Sequence, residues 1–155
     1  MMEALLLWRA CRMLASHLQR RGDFASFLSK MERTAEHIEN ALETVFYQKE
    51  SGMLLAATQD CRQIDVWGSC YALSVGFPLT EGCTQSIRRW LIANAGGILE
   101  HGQLRHTAPG EFWERLLLFV PQGEYQNGAY WATATGWFAD AVHPADPALA
   151  ERVLE

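Results

Sequence analysis

Ten consecutive residues, Val66-Trp-Gly-Ser-Cys-Tyr-Ala-Leu-Ser-Val75, contain no charged side chain and put small or apolar groups on every side of a helix. A helix of that kind has no face to give to water, so other elements must surround it. Asp65 stands where a helix cap belongs, and Gly76-Phe-Pro78 ends the run. The chain therefore has to enclose one short central helix. Its 155 residues, 49% of them hydrophobic, match a single domain and supply the apolar surface to do so.

The enclosing elements are legible as amphipathic helices. From Met2 to about Gln19, Leu5, Leu6, Trp8, Met13, Leu14 and Leu18 recur at three- and four-residue intervals, with Arg9, Arg12 and Gln19 largely on the other side. Arg21-Gly-Asp23 breaks this helix, and Asp23 can cap a second running from Phe24 to about Phe46, with Phe27, Leu28, Met31, Ile38, Leu42 and Val45 inward. A polar turn, Tyr47–Gly52, and a short extended run, Met53–Ala57, lead to the central helix. Thr80 opens a fourth helix with Ile87, Trp90, Leu91 and Ile92 on its apolar side, stopped by Gly96-Gly97. A fifth spans about Thr133 to Val142, and a sixth begins at Ala148 and still runs at Glu155.

Residues 98 to 131 read as a long ordered connection with short extended pieces, including Gln103–Thr107, Glu111–Glu114 and Leu116–Val120. Connections of that length are uncommon unless they carry function. The fold class is thus all-α, as helical hairpins with short β-excursions between them.

Charge and cysteine usage narrow the partners. A net charge of −5, from 13 basic against 18 acidic residues, gives no basic face for nucleic acid. Leu5-Leu-Leu-Trp8 is interrupted by Arg9 and Arg12, too early for a membrane span or a signal peptide. Cys11, Cys61, Cys70 and Cys83 have no CxxC spacing, so they read as reduced thiols of a cytoplasmic protein. His101 and His106 lack further ligands at a recognisable spacing, and no phosphate loop is present, so neither metal nor cofactor is expected.

The candidate ligand site centres on Glu124-Tyr-Gln-Asn-Gly-Ala-Tyr-Trp131, an Asn-Gly corner set among aromatic and amide side chains. Flat ring faces match the C–H faces of a pyranose, while Gln126 and Asn127 offer donors and acceptors for hydroxyls. Carbohydrate is the ligand class this implies. Tyr125, Asn127, Tyr130 and Trp131 cluster at a helix start, whereas Trp8, Trp90 and Trp137 belong to the core. Trp67 and Trp113 are further candidate ring walls. Asn127 also fits an ordinary Asn-Gly turn.

Three segments together resemble the six-hairpin glycosidases, the (α/α)6 toroids that include glucoamylase-like, trehalase-like, processing α-glucosidase and amylo-1,6-glucosidase enzymes. They are Phe46-Tyr-Gln-Lys-Glu-Ser-Gly-Met-Leu54, Ile64-Asp-Val-Trp-Gly-Ser69 and Tyr125-Gln-Asn-Gly-Ala-Tyr-Trp131, the last similar to a Tyr-x-Asn-Gly-Gly-x-Trp motif with Ala129 for the second glycine. The resemblance implies a toroid in which the compact third and fifth helices line an inner ring and the longer second and fourth an outer one. Six hairpins at about 40 residues each need about 240 residues, so 155 hold about three, a partial toroid or fragment. An open ring edge leaves apolar surface in water and implies self-association.

For such a family the implied chemistry is inverting O-glycosyl hydrolysis, with one protonated carboxyl and one carboxylate roughly 6.5–9.5 Å apart. Glu111, flanked by Pro109-Gly110 and Phe112-Trp113, or Asp65 is the best available acid or base; Asp65 equally serves as a cap worth about 1 kcal/mol. Glu124 is a turn residue, a partner of Arg105, or a sugar contact. Arg105 either fixes a hydroxyl or carboxylate or forms an ion pair with Glu111 or Glu124. His106 is a loop histidine or a proton carrier, and the latter opens a third reading, an epimerase or lyase on the same toroid. The second reading is a non-catalytic helical sugar-binding or interaction domain.

Overall fold

The computed structural model describes residues 1–22 and 24–155 and is 55% helical, so the chain is mainly helical with a few short strands. Helices α1 (Met2–Arg21) and α2 (Ala25–Phe46) pack against each other as a hairpin. Gly22 closes α1 by donating its N–H to the Leu18 carbonyl, with Arg20 and Arg21 complementing the negative end of the helix dipole. Asp23, expected to cap α2, lies outside the described residues.

The buried stripe of α1 is Leu5, Trp8, Cys11, Ala15 and Leu18; Leu6, Met13 and Leu14, expected inward, are exposed. Small Cys11 and Ala15 let α2 approach on their side, which rotates the wider leucine and methionine face outward. Phe27 and Val45 of α2 are likewise exposed, while Ala35 and Leu42 are buried. The hairpin is locked by Glu39, which accepts from Trp8 Nε1 at 2.6 Å and from Arg12 Nε and Nη2 at 2.8 and 2.5 Å.

That bidentate bond holds the Glu39 carboxyl below the ordinary glutamate range, against the opposing effect of burial; the Trp8 bond and the Arg12 charge lower it further. A depressed native pKa stabilises the fold above the unfolded-state value and loses that contribution as pH falls through the native one. Acid titration of α1–α2 unfolding is therefore expected to show a downturn below about pH 4.5 that Glu39→Gln flattens. An unchanged acid limb in Glu39→Gln would remove the assignment.

Strands β1 (Tyr47–Gln48) and β2 (Met53–Leu54) form a hairpin, pairing Tyr47 with Leu54 and Gln48 with Met53; the extended run at Met53 was expected, whereas Tyr47 and Gln48 belong to a strand and not to the turn. The uncharged run is α3 (Val66–Ser74), buried at every residue from Val66 to Ala72 and capped by Asp65. Helix α4 (Glu81–Ala93) is capped by Thr80, whose hydroxyl accepts from Cys83 N at 3.3 Å. Asn94, not Gly96-Gly97, stops α4. Both glycines lie inside a one-turn helix, α5 (Ala95–Ile98), and a Cβ on Gly97 would sit 2.9 Å from the Pro109 ring.

Strands β3 (Leu99–Glu100), β4 (Gln103–Arg105) and β5 (Tyr130–Trp131) form an antiparallel sheet in that order, with Leu104 opposite Leu99 and Trp131, and Arg105 opposite Tyr130. A 3-10 turn (Ala132–Ala134) leads into α6 (Thr135–Val142), and α7 (Pro147–Arg152) follows, capped by Asp146. The last helix ends at Arg152 instead of continuing to Glu155, with Leu149 and Ala150 buried on it and Val153 buried just beyond its end.

Helix α6 packs along α3, with Tyr71 edge-on to Trp137 at 4.9 Å and Ser74 donating to Asp140 at 2.6 Å. Helix α3 also touches α1 and α4, and α6 touches α4 and α7. Phe138, Ile87, Leu91, Leu104 and Val142 fill the space between them with no exposure. No helix among the described residues is long and apolar enough to cross a membrane.

Candidate functional site

Both small sheets are stitched to the first turn of α3. Asp65 N donates to the Leu54 carbonyl at 2.9 Å, and Val66 N donates to the His106 carbonyl at 3.0 Å. This brings the residue following β4 beside the cap of α3. Asp65, only 3% exposed, accepts from Gly68 N at 2.7 Å, and the same Oδ1 lies 3.2 Å from His106 Nε2.

The His106 ring stacks on Trp67, with centroids 4.4 Å apart and 13° between planes, and meets Trp113 edge-on at 5.0 Å. Trp67 is fixed in turn by its indole N–H, which donates to the Leu104 carbonyl at 3.1 Å. Nε2 of this ring faces the Asp65 carboxylate, so a partner for the other nitrogen, Nδ1, has to come from elsewhere. That Nδ1 is buried and has no hydrogen-bond partner. A buried polar atom without a partner is costly and calls for an account.

The pair opens onto a cleft of about 540 Å³ whose lining includes Asp65, His106, Trp113, Gln126, Cys61 and Arg115. Met1, Met2 and Glu3 form one rim, and Leu116 and Leu117 another. A cavity of equal volume lies between α2 and the start of α4, but its acids are already bonded, Glu39 to Arg12 and Glu43 to the Thr80 N–H and hydroxyl at 2.7 Å each. The cleft at Asp65 is the one with an unfilled polar atom beside it.

Residues 106–129 contain no strand, although Glu111–Glu114 and Leu116–Val120 had read as extended pieces. Side chains hold this segment in place of a ladder. Asn127, 3% exposed, accepts from Trp113 N at 2.7 Å and donates to the Val120 and Pro121 carbonyls at 3.0 and 3.4 Å. Trp113 Nε1 donates to the Gln126 carbonyl at 2.8 Å. Gln63 donates to the Phe112 carbonyl and accepts from Glu114 N at 2.8 Å, which ties the loop to the approach to α3. Gly128 has φ +101°, and a Cβ there would meet Arg105 Nη2 and the Phe112 ring at 2.9 Å.

The structure thus brings Asp65, His106, Trp113 and Gln126 to one concave wall, with Trp67 beneath His106. It does not bring Arg105 and Asn127 there. Arg105 is buried, forms neither expected ion pair, and instead donates to Thr107 Oγ1 at 3.1 Å and to the backbone carbonyl of Glu111, over the Phe112 ring. The amide of Asn127 is occupied by the loop it braces.

Glu111, a candidate acid or base, is exposed and outside the lining of the cleft that holds the other candidate, Asp65. Glu124 is an exposed turn residue whose carbonyl accepts from Asn127 N at 2.9 Å. Tyr125 and Trp131 contact each other edge-on at 5.2 Å, the Trp131 indole donating to the Tyr125 carbonyl at 3.0 Å, and Tyr130 Oη donates to the Gly97 carbonyl at 3.4 Å. These three stand apart from the cleft lining.

Sequence reasoning passed over Cys61, Arg115, Leu116 and Leu117: the first reads as a reduced thiol, the two leucines as part of an extended piece, and Arg115 falls between two such pieces. Among the cysteines, all free, Cys70 is pushed well up by burial and then by the Asp65 charge, and Cys83 is pushed up to about 12 by burial and then Glu43, so neither is a nucleophile. Among the described residues no group of three or more His, Cys, Asp or Glu can hold a metal ion. No protein-family model and no curated protein matches the chain.

Proposed function

We propose that this chain binds a neutral glucoside or oligosaccharide in the cleft beside Asp65 and His106, as an arc of a six-hairpin glycosidase-like toroid. The observation that carries the reading is the His106 imidazole on the cleft wall, set between two tryptophans with Nε2 3.2 Å from the carboxylate of buried Asp65. Trp113 and Leu117 offer apolar walls for sugar C–H faces, and Gln126, Asp65 and His106 offer groups for hydroxyls. The contact pattern supports the toroid: α1, α3 and α6 touch in sequence as inner helices would, with α2, α4 and α7 behind them. A cytoplasmic location fits four free thiols.

Binding is favoured over hydrolysis because the cleft lining has one buried carboxylate, Asp65, and its other carboxyl, Glu3, stands in water at the rim. Two carboxyls at a controlled separation are what inversion requires. The place of His106 on the cleft wall beside Asp65 supports a second reading, proton transfer, in which His106 acts on a carbon or hydroxyl of the bound sugar as in an epimerase or lyase.

Titration with maltose, isomaltose and trehalose, followed by tryptophan fluorescence, is expected to saturate. Trp113→Ala is expected to weaken the tightest of them about tenfold, the loss of roughly 1.4 kcal/mol of stacking and burial. No saturation by any of them up to roughly 10 mM, beyond the weakest range counted as binding, removes the proposal. Glucose release from an aryl glucoside that vanishes in Asp65→Asn would move the assignment to hydrolase, and epimerised product lost in His106→Ala to the second reading.

A further inference from the structure

Beginning at Glu3 on the cleft rim, a second face of α1, apart from the stripe buried against its neighbours, carries exposed apolar side chains. Leu6, Leu7, Met13 and Leu14 are 49%, 51%, 61% and 37% exposed, and with exposed Ala10 they form one stripe at three-, four- and seven-residue spacings. Exposed Glu3 and His17 end the stripe, each seven residues from Ala10. Reversing the helix about Ala10 places Leu6 at the level of Leu14, Leu7 at Met13 and Glu3 at His17. Like meets like in the middle and unlike at the ends.

We propose that two copies of this chain associate through α1, antiparallel, about a two-fold axis at Ala10. A two-fold contact requires a patch that complements itself, because each half of it meets the other half on the second copy. The stripe has that property, and a surface shaped for a different partner has no need of it. Ala10 is the smallest side chain on the stripe and lies where each copy meets its own image, so the two backbones can approach closely. Glu3 then lies level with the second copy's His17, an acceptor against a donor, whereas a parallel pair would set Glu3 against Glu3.

The proposal stands on the exposure and order of these side chains and is independent of the saccharide reading. A seam one helix wide falls short of the ~1,200 Å² of stable interfaces, so the dimer belongs to the weak, concentration-dependent class.

Sedimentation velocity from roughly 5 to roughly 200 μM is expected to show monomer giving way to dimer. Leu6→Glu and Leu14→Lys are each expected to shift the midpoint about tenfold or more upward, and the double variant to recover most of that shift, since the new charges are level across the axis. Ala10→Cys in a Cys61→Ser background is expected to crosslink to itself under mild oxidation, and Ser16→Cys, exposed but off the stripe, is not. These positions are exposed, so the variants retain the helical circular dichroism of the parent. A monomer at every concentration, a dimer indifferent to Leu6→Glu, or Ser16→Cys crosslinking as fast as Ala10→Cys each overturns the proposal.

Discussion

Asn127→Ala is expected to release the 106–129 segment and erase the cleft while the helices stay folded. The substitution strips Trp113 N of its acceptor and the Val120 and Pro121 carbonyls of their shared donor, all served by one amide that is 3% exposed. Leaving a buried polar group without a partner costs about 1–3 kcal/mol; these three are only partly buried and Pro121 is exposed, so each falls near the low end and a local loss of about 2–4 kcal/mol follows. This segment has no strand ladder to fall back on, and its opening energy is drawn from those side-chain bonds. Limited proteolysis between residues 114 and 126 is the direct measurement, with far-ultraviolet circular dichroism reporting the helices. Asn127→Asp is expected to fail as a rescue, because it keeps the acceptor for Trp113 but turns a carboxylate oxygen toward two carbonyls. Resistance of Asn127→Ala to cleavage would show that the loop is held by something other than this amide.

The second large effect falls on the core. Phe138 has no exposed surface and places its ring from α6 into the hydrophobic core. Phe138→Ala is expected to cost about 3–5 kcal/mol, the transfer of the ring plus the cavity left behind. Against a total of about 5–15 kcal/mol for a typical domain, that is enough to unfold a large fraction of molecules at modest denaturant. Urea titration followed by circular dichroism measures it, and Phe138→Leu is expected to recover more than half. A change under about 1 kcal/mol would mean that α6 does not form part of the central packing.

How much of this was legible in the sequence depends on whether the signal was local. Asp65 before an uncharged run, Thr80 before an amphipathic one and the extended run at Met53 after a polar turn are each set by neighbours a few residues away, and all were readable. The orientation of α1 was not. Periodicity finds an apolar stripe, but Leu6, Leu7, Met13 and Leu14 form a second stripe on the same helix, and only the approach of α2 over Cys11 and Ala15 decides which is buried. Leu116–Phe119 misled for the same reason, since four apolar residues in a row suit a buried strand when a partner strand exists and none lies beside them here.

The site divides along the same line. Asp65, His106, Trp113 and Gln126 were named from their chemistry, yet their meeting depends on β4 delivering His106 to α3 and on Asn127 folding the loop back. Arg105 and Asn127 were named for the right residue types and the wrong task. A guanidinium or an amide has the same donors whether it holds a ligand or its own backbone, and only burial separates the two.

The two sides of the cleft are fastened by different forces. Asp65 and His106 are rooted in backbone bonds to the central helix, whereas Arg115 and the leucines after it hang from Gln63 and from an ion pair between Arg115 and Asp60 that stands largely in water. Exposed pairs weaken as salt rises, within a Debye length of about 8 Å at physiological ionic strength. Breathing of this mouth is therefore one-sided, with a stationary floor and an electrolyte-sensitive shutter.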